Sequence, residues 1–95
     1  MKSIIQPDKD RCFVCGKNGG FTGLDEHHVY GGANRKLSER YGLKVYLCHD
    51  TCHLHGVHKN AELNQSLKAR VQKMAMQHYN WTEDDFRRIF GKNYL

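Results

Sequence analysis

Positions 48 to 58 read CHDTCHLHGVH and hold two cysteines and four histidines. With the CFVC stretch at 12–15 they constrain the chain more than any apolar pattern in it. Cys12 and Cys15 form a C-x2-C knuckle, and Cys48 and Cys52 a C-x3-C pair. Ligand pairs spaced roughly two to four residues apart are typical of structural zinc sites. Four thiolates close a tetrahedron and leave no open position, so such a site holds structure and performs no chemistry. The wider second pair leaves His49 or His53 as an alternative to Cys52. A chain of 95 residues buries little apolar surface, so a zinc staple would supply much of its folding free energy.

Composition sets the class. Hydrophobic residues are 39% and charged residues 26%, as expected for a single soluble globular domain spanning 1–95. No apolar run approaches the roughly 20 residues needed to cross a bilayer. The start, MKSIIQPDKD, lacks the apolar core of a secretory signal. These features predict a cytoplasmic protein with no membrane partner, in which thiols bind metal rather than pair. The net charge of +5 favours a polyanionic partner such as DNA, although it is also ordinary for a soluble domain.

Along the chain, residues 1–11 read as a loosely held polar arm, 12–58 as a knuckle and metal-binding core, and 60–95 as a helical extension. FTGLDEHHVY (21–30) suits a strand ended by GGAN (31–34), and LKVYL (43–47) alternates like a second strand. RKLSERYG (35–42) suits a loop or one helical turn. A short helix fits the segment after Cys48, with Gly56 as its stop. Residues 60–79 predict the clearest helix, with Asn60 as N-cap and an apolar stripe of Leu63, Leu67, Val71 and Met74. Residues 81–91 predict the last helix, with Thr82 and Asp85 as a capping box and Gly91 as the C-terminal stop. Phe86, Phe90, Trp81 and Tyr79 read as core packing, and His78 as a surface residue.

If zinc takes the cysteines, the histidines around them remain. An open divalent-metal site needs only two or three protein ligands plus water. DEHHVYGG on one side and CHLHGVH on the other can supply them.

These residues resemble the HNH, or ββα-metal, endonucleases. The match runs from CFVCG through HHVYGGANRKLSERYGLKVYLC to GVHKN and covers most of the chain. It is similar in style to small bacteriophage HNH-type proteins and recombination-enhancing nucleases. The resemblance implies a small α+β, zinc-stabilised, treble-clef-like ββα-metal domain, here with two C-terminal helices. It implies metal-dependent DNA hydrolysis in phage recombination, replication or packaging, in the host cytoplasm and with a recombinase or other DNA-metabolism protein as a further partner. By position, His28 takes the role of general base. His27, His53 and His58 take the roles of ligands to the catalytic ion, magnesium or manganese, with zinc or nickel as competitors. Four residues separate His53 from His58 where the family more often has three, which makes His55 a competing ligand.

The family's middle Asn is missing from YGLKVYLC (41–48). Asn34 is the nearest substitute for orienting the base, with Asp25 and Glu26 as other partners; Asn after Gly-Gly is also ordinary turn chemistry. His49 reads as a solvent-facing or supporting residue. His27 and His28 are neighbours, and neighbours in a regular strand point to opposite faces, so they converge only if the strand twists or ends there. Arg35, Lys36, Arg40 and Lys44 are candidate phosphate contacts, and Arg87, Arg88 and Lys92 form a second basic group. The missing Asn also fits a different class, a zinc-bound DNA-binding or adaptor module without catalysis.

Overall fold

In the computed structural model, residues 2–6, 11–16, 24–49, 53 and 56–95 are described. The order of elements is β1 (Leu24–His28), a 3-10 turn (Gly32–Asn34), α1 (Arg35–Tyr41), β2 (Lys44–Cys48), α2 (Ala61–Tyr79) and α3 (Glu83–Phe90). It is a small mixed α+β fold, with a two-stranded antiparallel sheet and three helices among the described residues.

The strands pair in the register Leu24↔Cys48, Glu26↔Tyr46, His27↔Val45 and His28↔Lys44. Directly paired residues share a face. His27 therefore lies on the face of Val45, and His28 on the face of Lys44. Val45 and Leu47 are fully buried and pack with Val29, Leu43, Val57, Leu67, Val71 and Phe86 in one core.

RKLSERY is more ordered than a polar loop, and it forms two turns of helix. Leu37 and Tyr41, four apart, pack on the core. Ser38 is fully buried; its hydroxyl donates to the Tyr30 carbonyl at 2.7 Å and accepts from the Tyr30 N–H at 3.1 Å. Gly42 ends the helix at φ +70°, where a Cβ would meet the Lys2 carbonyl at 2.5 Å. The close approach reflects a correction to the arm: residues 2–6 are docked. Ile4 N–H donates to the Gly42 carbonyl at 2.9 Å, Ser3 Oγ to the Lys44 carbonyl, and Tyr46 N–H to Gln6 Oε1 at 2.8 Å. Backbone groups on the outer edge of β2 need partners, and the arm supplies them.

The helical extension follows its local signals. Asn60 Oδ1 accepts from Leu63 N–H at 3.0 Å, and Thr82 and Asp85 form a reciprocal capping box. Gly91 caps α3 in the left-handed region at φ +83°. Leu67 and Val71 are buried, as are Phe86 and Phe90; Leu63, Met74 and Trp81 pack partly buried against the core. Gln72, fully buried in α2, donates to Asn93 Oδ1 at 2.7 Å and accepts from Tyr94 N–H at 2.8 Å, which pins the C-terminal residues to the helix. Among the described residues no helix is long and apolar enough to cross a membrane.

Gly56 does not stop a helix. The described residues between Cys48 and Asn60 follow a wide winding, in which His58 N–H donates to the His53 carbonyl five residues back at 3.4 Å. The Gly56 carbonyl then accepts from Lys59 and Asn60.

Candidate metal centres and the cavity beside them

The sulfur atoms of Cys12, Cys15 and Cys48 lie within 4.8 Å of one another. Cys15 Sγ and Cys48 Sγ are 3.4 Å apart. Pairing between Phe13 N–H and the Tyr46 carbonyl at 2.8 Å holds the knuckle against β2. Burial alone would raise the Cys12 thiol, but backbone N–H groups of Cys15, Cys48 and Val14 outweigh it and bring the thiol down to about 6. A sulfur poised as thiolate suits a zinc knuckle. Cys52, the expected fourth ligand, lies outside the described residues. Both alternatives pair with Asp25 Oδ2 through Nδ1, His53 at 2.8 Å and His49 at 2.6 Å.

A second group of ligand atoms comes from His27, His53 and His58, again within 4.8 Å of one another. His53 Nε2 and His58 Nε2 stand 3.0 Å apart. Two imidazole nitrogens bound to one ion at about 2.1 Å, at right angles, are separated by about 3 Å. His27 Nε2 is buried without a hydrogen-bond partner. An orphaned buried nitrogen calls for a partner that the protein itself does not provide. Burial, then the facing charges of His53 and His58, holds His27 down at about 4, so it is a neutral imidazole with a lone pair to give. The donor set fits a divalent cation, and burial decreases from His27 to half-buried His53 to exposed His58, so the site opens outward.

The spacing of His53 and His58 has a physical explanation. In a regular α-helix five residues overshoot a full turn by about 140°, which would splay the two rings. The i→i+5 hydrogen bond closes a wider turn and brings them back into phase. His55 lies outside the described residues.

Asp25 orients the centre. Its Oδ2 accepts from His53 Nδ1 at 2.8 Å, and this leaves His53 Nε2 for the ligand position. Hydrogen bonds from His53 and then His49 lower the Asp25 carboxyl below its usual value. Asp25 is two residues before His27 on β1 and so on the same face. That relation was readable from the sequence; its His53 partner was not.

β1 ends at His28, and His27 and His28 border one cavity of about 610 Å³ although their side chains leave opposite faces of the strand. Asn34, Arg35, Asn64, Lys68 and Tyr94 also line it. Lys68 and Asn64 come from α2, which no local pattern linked to the histidines.

Two expected roles need correction. Lys44 is 5% exposed and its ammonium pairs with Glu39 Oε2 at 2.7 Å and Glu26 Oε2 at 3.5 Å, carboxylates that stay partly exposed, so its charge is matched by theirs rather than offered to phosphate. The Asn34 side chain donates to the Phe90 carbonyl at 2.9 Å. It ties the 3-10 turn to the end of α3 and makes no hydrogen bond to His28. Arg35, Lys36 and Arg40 are exposed, and of these Arg35 faces the cavity. His78 is exposed on α2, as expected.

Comparison of the chain with protein-family models, curated proteins and solved structures finds no match.

Proposed function

We propose that this protein is a metal-dependent DNA endonuclease built on a zinc-stabilised ββα-metal domain, with Cys12, Cys15, Cys48 and Cys52 around the zinc. The observation that carries the reading is the buried, unpartnered Nε2 of His27, facing His53 and His58 on a cavity that His28 also borders. The order of parts supports it: a hairpin whose first strand ends in His27 and His28, then a winding that returns His53 and His58.

His27, His53 and His58 would hold the divalent ion, magnesium or manganese, with zinc or nickel able to compete. Such an ion would supply stabilisation of the negative charge that develops at the phosphate and on the leaving oxygen. His28 takes the proton of the attacking water as the new P–O bond forms and the scissile P–O bond breaks. Imidazole suits this near neutral pH. Asp25 keeps His53 in the ligating tautomer. Arg35 and Lys68 bring positive charge to the cavity for flanking phosphates. A DNA-metabolism protein such as a recombinase is a further proposed partner.

A second reading draws on Asn34, whose side chain is committed to α3. A zinc-bound DNA-binding module without catalysis needs the cysteines and the basic residues but not His28. Relaxation of supercoiled plasmid separates the two. Zinc-loaded protein with magnesium or manganese is expected to nick the plasmid, EDTA to stop it, and His28→Ala to leave only a small residual rate. Retardation of plasmid on a gel without nicking by the wild type would favour the binding module.

A further inference from the structure

His28 needs a partner to fix its ring, and the structure offers one that the sequence did not suggest. His28 Nε2 lies 3.5 Å from Glu39 Oε2 and 3.8 Å from Glu26 Oε1. Glu39 Oε2 also accepts from Lys44 Nζ at 2.7 Å. The Lys44 side chain is 6% exposed, so its ammonium is a fixed point. Glu26 is held more loosely, at 3.5 Å both from Lys44 Nζ and from the Tyr46 hydroxyl. The three groups come from three elements: His28 from the end of β1, Glu39 from α1, Lys44 from the start of β2. Only the closed hairpin with α1 packed beside it brings them together.

Glu26, His28 and Glu39 have ligand atoms within 4.8 Å of one another, as a metal site would. Lys44 already supplies the positive charge there, so the cluster reads as an oriented base rather than another cation site.

We propose that Glu39 is the positioning residue for His28, accepting the Nε2 hydrogen and leaving the lone pair on Nδ1. This rests on the nuclease reading for its catalytic consequence, not for its geometry. A neutral imidazole donates from one nitrogen and accepts at the other, and an ionised carboxylate can only accept. The partner therefore selects the tautomer, as the third group does in nucleophile–base–orienter triads. The hydrogen bond from Lys44 lowers the Glu39 carboxyl to about 2, so it is ionised at neutral pH. The Lys44–Glu39–His28 chain does for His28 what Asp25 does for His53.

The test begins with a signal that needs no turnover. In zinc-loaded, 15N-labelled full-length protein, long-range 1H–15N correlation identifies the His28 ring by its loss in His28→Ala. The expected pattern is a protonated Nε2 and an unprotonated Nδ1, giving way to mixed tautomers in Glu39→Ala and retained in Glu39→Gln, which keeps an acceptor oxygen. A protonated Nδ1 in the wild type, or a pattern unmoved by Glu39→Ala, would overturn the proposal. Plasmid nicking then reads the catalytic side. Glu39→Ala is expected to lower kcat about 10- to 100-fold, as loss of a ligand-orienting partner does elsewhere, with KM little changed, and to cost nothing further in the His28→Ala background. Multiplying losses in the double mutant would mean that Glu39 acts on the fold and not through His28. Absence of nicking by the wild type would remove the nuclease reading, while the tautomer measurement still decides the role of Glu39.

Discussion

At the residue scale, two further side chains depend on a hydrogen-bond partner that can be tested without catalysis. Asp25 holds His53 with Nε2 toward the histidine centre. Asp25→Asn should weaken binding of manganese to the zinc-loaded protein about 10- to 100-fold in calorimetry. His27→Ala should weaken it at least as much, and equal affinity in wild type and Asp25→Asn would rule out the orienting role. Tyr30 is the second case. Its hydroxyl donates to the Lys68 carbonyl at 2.6 Å and its ring packs against Phe86, Phe90 and Tyr94. Burial raises the Tyr30 phenol above its ordinary value of 10.0. The unfolded chain therefore loses this proton above about pH 10 while the folded protein keeps it, and stability contributed by Tyr30 falls as pH rises past that point. Urea midpoints at pH 8 and pH 11 should drop further for wild type than for Tyr30→Phe. An equal drop would mean that Tyr30 is not the group responsible.

At the element scale, the helices differ in how much they owe to local sequence. α3 is set by its ends: Thr82 and Asp85 close a capping box and Gly91 terminates the helix. Thr82→Ala should cost about 1 kcal/mol in chemical denaturation, with the fold unchanged by circular dichroism. α1 is different. Its apolar contacts are Leu37 and Tyr41, too few to establish a period, so RKLSERY gives almost no helical signal. Buried Ser38 and the turn at Gly42 hold it in place. Gly42→Ala meets both a left-handed backbone and the Lys2 carbonyl. The conformation alone costs roughly 1–2 kcal/mol, and undocking of residues 2–6 should show as faster proteolysis of the arm. A variant as stable and as protease-resistant as the wild type would mean that the arm does not pack there in solution. The winding before α2 is legible only in part. The residue types of His53 and His58 point to metal, but their five-residue spacing makes sense only once the wide turn is seen.

At the scale of the whole molecule, the thiol cluster fastens the knuckle to the end of β2, next to the winding that carries His53 and His58. If the proposed zinc sits there, a chelator should abolish cooperative thermal unfolding and added zinc should restore it. Survival of a sharp transition in metal-free protein would show that the apolar core suffices alone. The sequence by itself determined the pieces whose causes are local. The cysteine spacing singled out Cys12, Cys15 and Cys48, whose sulfurs the fold brings together, the caps at Asn60, Thr82 and Gly91 bounded two helices, and strand alternation set His27 and His28 on opposite faces of β1. What only the tertiary structure decided are the pairings between distant segments. Lys44 is buried and turned toward the partly exposed carboxylates of Glu39 and Glu26 instead of facing solvent. Asn34 is turned to Phe90, and Lys68 is brought to the histidine cavity from α2. Backbone propensity and side-chain period act over a few residues and can be read along the chain. Which group meets which, across separations such as the 56 positions from Asn34 to Phe90, depends on how the elements pack. Packing is settled by burial of the shared core and not by any one segment.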